Sequence, residues 1–432
     1  MGKDIEKQLN KADQLYRAMQ YKRAAKLYND AGEQCLKVGD YQLAKESFFN
    51  AAKSILNEDK YLKGLEFLRS AGAASLSDNE FIEADQIFKE ALSYVPSLRN
   101  SSDRNFYFIN FATLSYLCSF VEGKQEEGLN LVKKIKAKVD DVYFKEHPLI
   151  KLIKNFTVAI RDKKVSYVNK IIDDFEAYKF QGGEIDLCKQ ALVITKTINS
   201  LNSGLKLDKK IYTTNDTLKL ILEIDTNPLL EISSNPFYNY TIKNLKISKI
   251  GITLSDNFTL NEKPEFPINI PPGTNKELEF LIKTHFQMEN PFIGPILLTS
   301  KLDDNLMFFY ESPEILYPKL ISPPPTLDVT TKNLKPPLIG QTFPFEILIE
   351  NKSEGEAIDL NIEIEFPENL KVMRGTLKKQ IYSLRTNENI KWEISLKPIE
   401  AGEYTIKAKI TFKDPDQNQI TEIKEFPLSI KL

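Results

Sequence analysis

Apolar and small residues recur along the first hundred positions at a spacing of 20 residues. Tyr21, Tyr41, Tyr61 and Phe81 open the register, and Ala24, Ala44, Gly64 and Ala84 follow. Tyr28, Phe48, Leu68 and Phe88 come next, and Ala31, Ala51, Ala71 and Ala91 close it. Positions i, i+3, i+7 and i+10 fall on one face of an α-helix, so each unit reads as one helix and one turn. A helix with a single apolar stripe cannot bury it alone. Units must therefore stack, small residues letting backbones approach and rings filling the gaps. The pattern predicts an α-solenoid of antiparallel helix hairpins, which is a surface for holding other molecules. Ile5, Leu9, Ala12, Leu15 and Met19 predict a capping helix before the array, and Val95-Pro96-Ser97 ends it. Beyond residue 103 the register is lost but the helical period persists. It predicts helices near 103–122, 125–139, 147–162, 164–180 and 184–201, about ten in all.

At Gly204 the period becomes two. Leu218, Leu220, Leu222 and Ile224 alternate with Lys219, Ile221, Glu223 and Asp225, and Leu278, Phe280 and Ile282 continue the alternation, as half-buried strands require. Turn clusters such as Ile270-Pro271-Pro272-Gly273 punctuate it in the manner of an antiparallel β-sandwich. Ser322-Pro323-Pro324-Pro325 then makes a short stiff joint. After it, runs at Phe343–Ile349, Leu360–Phe366, Trp392–Leu396 and Tyr404–Phe412 predict about seven strands in roughly 105 residues, the size of an immunoglobulin-like sandwich. No Cys pair flanks Trp392, so a disulfide does not pin it. The expected fold is multidomain, α then all-β: a solenoid over 1–202, a first β-sandwich over 203–321 and a second, immunoglobulin-like one over 326–432.

Gly39-Asp40-Tyr41, Ala44, Phe48 and Ala51, with Tyr28 and Gly32 ahead of them, resemble a tetratricopeptide repeat, although 40 residues for two helices exceeds the usual length. The aromatic/Ala-Ala texture of Phe48-Phe49-Asn50-Ala51-Ala52 is closer to that of the soluble NSF attachment protein (SNAP) family. That resemblance covers residues 10–95 well and 96–200 as helical pattern only. It implies a helical sheet that clamps SNARE bundles and recruits an AAA+ ATPase. Two features depart from it: the turn at Met19-Gln20-Tyr21 has no room for the family's membrane-touching apolar loop, and the chain runs on into β structure. Gly340-Gln341-Thr342-Phe343-Pro344-Phe345, Ile349-Glu350-Asn351-Lys352-Ser353 and Pro398-Ile399-Glu400-Ala401-Gly402-Glu403-Tyr404 resemble CARDB-like adhesion modules. A solenoid followed by sandwiches is also similar in architecture to coat-adaptor appendages and TRAPP tethering subunits.

Hydrophobic content of 42% and charged content of 27% are those of a soluble globular protein. A formal net charge of -2 gives no global attraction to polyanions, and nucleic acid is not an expected partner. No run approaches the roughly 18 apolar residues of a membrane span, and the start lacks the apolar core of a secretory signal, so a cytoplasmic location is expected. Glu6 stands where myristoylation needs Ser or Thr. Cys35, Cys118 and Cys188 are far apart among apolar neighbours and read as reduced core thiols.

Catalytic patterns are missing: the chain has no phosphate-cradling glycine loop, no G-x-S-x-G, no H-E-x-x-H and no CxxC. With only His147 and His285, no metal or other cofactor is expected. His147 precedes Pro148 and reads as a helix cap. Asp414-Pro415-Asp416-Gln417-Asn418 lacks the Gly and distal Glu of a calcium loop and reads as a polar hairpin tip. The candidate partner-binding residues are a basic face of Lys22, Arg23 and Lys26 on the second helix and Lys133, Lys134, Lys136 and Lys138 on a later one. The leading expectation is a non-enzymatic adaptor binding one or more proteins through its solenoid and its sandwiches. A second places the same fold peripherally at membranes as a trafficking tether or a SNAP-like SNARE-complex adaptor. A third is an enzyme or carbohydrate-binding module in the β half, stacking sugars on Phe237, Tyr238 and Tyr240.

Overall fold

The computed structural model describes residues 2–431. Five helices, α1 Gly2–Arg17, α2 Tyr21–Val38, α3 Tyr41–Leu56, α4 Tyr61–Ser77 and α5 Phe81–Tyr94, pack each on the next, and α6 Ser101–Val121 continues the series. Three of the four repeat positions are buried throughout, Tyr28, Phe48, Leu68, Phe88 and the eight residues at the two small-residue positions, whereas at the opening position Phe81 is buried and Tyr21, Tyr41 and Tyr61 are half-buried. The turns keep the same period. Met19, Gly39, Asp59 and Asn79 each carry a positive φ, the left-handed residue that reverses the chain after a helix.

Six further helical segments differ in part from the periodicity. α7 Gln125–Lys136, α9 Pro148–Arg161 and α11 Gly183–Ser200 match expected helices, but a short α8 Asp141–Glu146 intervenes. Asp140 starts α8 by accepting from the Val142 and Tyr143 N–H groups. His147 ends it, held extended at φ -66°, ψ 132° by the proline that follows. The helix expected over 164–180 is cut: α10 Val165–Asp173 stops, and Phe175–Tyr178 winds into a 3-10 turn that buries Tyr178.

The remainder is β structure. The first unit holds β1 Asn202–Leu207, β2 Ile211–Thr213, β3 Thr217–Asp225, β4 Leu245–Leu254, β5 Phe258–Glu262, β6 Ile268–Ile270, β7 Asn275–Thr284, β8 Ile293–Leu302, β9 Leu306–Ser312 and β10 Lys319–Ile321. They form two antiparallel sheets, ordered β1-β3-β7-β5 and β6-β4-β8-β9, with β2 and β10 as a parallel pair beside them. Leu218, Leu220, Leu222 and Ile224 face the interior, as their alternation requires. One element falls outside the expected pattern, a helix α12 Asn227–Ser234 after β3, which buries Leu229 and Ile232 and packs on α11.

The second unit has eight strands where about seven were expected: β11 Leu327–Asn333, β12 Phe343–Asn351, β13 Ala357–Glu365, β14 Leu370–Arg374, β15 Lys378–Leu384, β16 Asn389–Pro398, β17 Gly402–Lys413 and β18 Gln419–Ile430. Its sheets are β11-β12-β16-β14 and β15-β13-β17-β18. The fold is thus α then all-β. Its apolar interior is divided differently: one core runs from the helices through the first β unit, and the second β unit has a core of its own. The junction of the helices and the first β unit is hydrogen-bonded through β9, Tyr310 donating to the Leu201 carbonyl at 3.0 Å and Lys163 to the Glu311 carbonyl at 2.6 Å.

Candidate interaction site on the helical array

α11 lies across α4 and α6, returning over the array. Its seat is built from one glycine and one ion pair. A Cβ on Gly183 would stand 2.4 Å from the Ala73 carbonyl oxygen and 2.8 Å from the Ser77 nitrogen, so only glycine lets the first turn of α11 touch the α4 backbone. In that turn the Glu184 side chain is fully buried and pairs with Arg69 of α4 by two bonds of 2.6 Å each, from Nε and Nη2. The Gln181 N–H also donates to Glu184, at 3.1 Å. A carboxylate at a helix start meets unpaired N–H groups and the positive end of the dipole. Burial pulls the Arg69 guanidinium toward lower pKa, but the bonds and charge of Glu184 outweigh it and raise it. Toward the α4–α5 turn, Gln190 donates to Asn79 at 2.9 Å.

What α11 leaves open is a cleft of about 550 Å³ between its first turn and α2. Asn29, Glu33 and Leu36 of α2 form one wall, Glu66, Ser70 and Ala73 of α4 the floor, and the Gln181–Glu184 segment the other wall. Glu33 and Glu66 are exposed. Three carboxylates against the one guanidinium of Arg69 leave the lining acidic.

The expected basic residues lie elsewhere, in two groups. Lys22, Arg23 and Lys26 are exposed on α2, Lys22 and Lys26 continuing the stripe of Asn29, Glu33 and Leu36 so that they lead to the mouth of the cleft. Lys133, Lys134 and Lys136 occupy the last turns of α7, where cations suit the negative end of the helix dipole. Lys138 lies beyond the helix end, its Nζ 5.6 Å from the Phe108 ring centre. α2 packs on α1 and α3, and α7 on α6, so these residues make two patches. Arg69 and Glu184 organise the site; 115 residues apart and without a shared motif, they carry no local signal in the sequence.

The remaining candidates have structural roles. Tyr238 is buried, and Phe237 meets the edges of Phe175 at 5.3 Å and of Tyr238 at 5.5 Å, so with half-buried Tyr240 they make no flat exposed row for a sugar. Asp414 takes the Asn418 N–H at 2.8 Å and closes the β17–β18 hairpin. His147 Nδ1 accepts from the Leu149 N–H at 3.3 Å, capping α9, and burial lowers its pKa. The three cysteines are free and buried, and burial pushes each thiol up. No helix among the described residues is long and apolar enough to cross a membrane.

No protein-family model matches the chain, and no curated protein matches it. Among solved structures, a CARDB domain from Pyrococcus furiosus, in complex with di-metal ions, is 18% identical over 25% of this chain and 90% of that domain, with a TM-score of 0.20. A cohesin module from a Clostridium perfringens family 33 glycoside hydrolase is 13% identical over 24% of this chain and 97% of that module, with a TM-score of 0.19. Neither likeness bears on the cleft.

Proposed function

We propose that this chain is a non-enzymatic protein-interaction adaptor, its helical array holding one partner and its sandwiches displaying loops and edges to another. The observation that carries the reading is the open cleft beside α11. Its walls are fixed by a buried ion pair and a close backbone contact, so the surface is shaped before a partner arrives, which spares the partner the entropy of organising it. The lining mixes apolar and polar groups, and its Ser70 hydroxyl donates to the Glu66 main-chain carbonyl at 3.1 Å, which suits recognition. The test is affinity capture from native cells with the full chain and with Ser70→Arg, which fills the floor of the cleft. A partner held by the parent chain and lost from the variant is the expected outcome. A chain that captures nothing, or a partner retained equally by both, overturns the reading.

A further inference from the structure

The opposite layer of the array carries a second groove, unrelated to the cleft beside α11. It runs between α3 and α5, has a volume of about 260 Å³, and is floored by Phe49 and Ile87. Its rim carries Glu46, Glu83 and Glu90, against which the groove sets one cation, Lys45. The chain itself shows how a basic side chain settles there. Lys45 keeps only 14% of its side chain exposed and reaches Glu83 at 2.7 Å, and Lys53 lies with its Nζ 4.6 Å from the centre of the Phe49 ring. Aliphatic stem on an apolar floor, ammonium on a carboxylate or a ring face, is the arrangement long cations favour. Among the described residues Glu46 and Glu90 have no cation partner within ion-pair distance.

We propose that the α3–α5 groove docks a lysine- or arginine-bearing amphipathic helix of a protein partner. Two features choose that occupant. The floor and rim recur at helical spacing on both walls, Lys45, Glu46 and Phe49 on α3 and Glu83, Ile87 and Glu90 on α5, so the groove accepts the ridge of another helix. The unmatched carboxylates select basic residues beside that ridge and repel nucleic acid and anionic lipid. A space of this size takes one or two side chains, the ridge of such a helix rather than its body.

The experiment uses the full chain and two fluorescein-labelled 14-residue helical peptides that share a leucine face, one with lysines and one with glutamates on the other side. Fluorescence anisotropy should show the lysine peptide binding and the glutamate peptide not binding. Glu46→Lys with Glu90→Lys should weaken the lysine peptide at least tenfold, and Glu46→Gln with Glu90→Gln by less, each variant melting as the parent does. Charge reversal in the other cleft, Glu33→Lys with Glu66→Lys, should leave binding within twofold. Binding of the glutamate peptide, no binding of either, or a lysine peptide indifferent to the Glu46 and Glu90 variants overturns the proposal; loss confined to the Glu33 and Glu66 variant does so too.

Discussion

Ring and glycine are matched across neighbouring helices of the array. A Cβ on Gly32 would lie 2.9 Å from the Phe48 ring and one on Gly72 2.3 Å from the Phe88 ring. Where the repeat puts Leu68 in place of a ring, the equivalent position of the preceding helix is Ala52. Side-chain volume is thus conserved between partners, as a close-packed interior demands. Gly72→Ala should destabilise the chain by up to about 2 kcal/mol, since displacing a buried ring costs about 1–3 kcal/mol against the roughly 1 kcal/mol that alanine gains in a helix. In a Phe88→Leu background the same change should be neutral or stabilising. Urea unfolding of the four chains measures it, and equal effects of Gly72→Ala in both backgrounds would refute the pairing. This matching was half legible: the period shows which face is buried, but which glycine meets which ring needs the crossing of two helices.

At the scale of elements, α11 shows what periodicity does and does not convey. Its helical pattern was readable, as was Gly182-Gly183 as a break, yet its place on α4 rests on a pairing between positions with no local signature. α8 and α12 were unread because elements of 6 and 8 residues are too short to establish a period. Arg69→Met should cost about 3–5 kcal/mol, because it strands the Glu184 carboxylate in the interior, whereas Arg69→Met with Glu184→Leu should recover most of that loss. Thermal unfolding of single and double variants decides it; a double variant as unstable as the single one would contradict the account. Sheet edges carry a different device. On the less exposed face of edge strand β18, Glu422 and Lys424 pair at 2.9 Å, and Pro427 lies three residues on. Inward charges and an edge proline discourage another strand from pairing there.

For the whole molecule, the joint between the two sandwiches is seated. A Cβ on Gly355 would lie 1.9 Å from the Pro323 carbonyl oxygen, and the Thr326 N–H donates to Ser353 at 2.8 Å. Asn215 reaches Glu354 at 2.5 Å and Gln287 reaches Asp416 at 3.2 Å across the same junction. The proline run was legible as a stiff segment, but its berth on the β12–β13 turn was not. Gly355→Val should lift the run from that berth and widen the spread of orientations, seen in small-angle scattering as a larger radius of gyration and a blurred distance distribution. An unchanged profile would show that the prolines alone set the geometry.

Ser200 ends α11 and Asn202 begins β1, with a single residue between them. Tension applied to the β half would enter the array through α11 and through the core that the helices share with the first β unit, and the contacts of α11 with α4 and α6 would resist it. Anything gripped by the array would therefore feel a pull on the sandwiches as through a rigid lever, without slack to take up first.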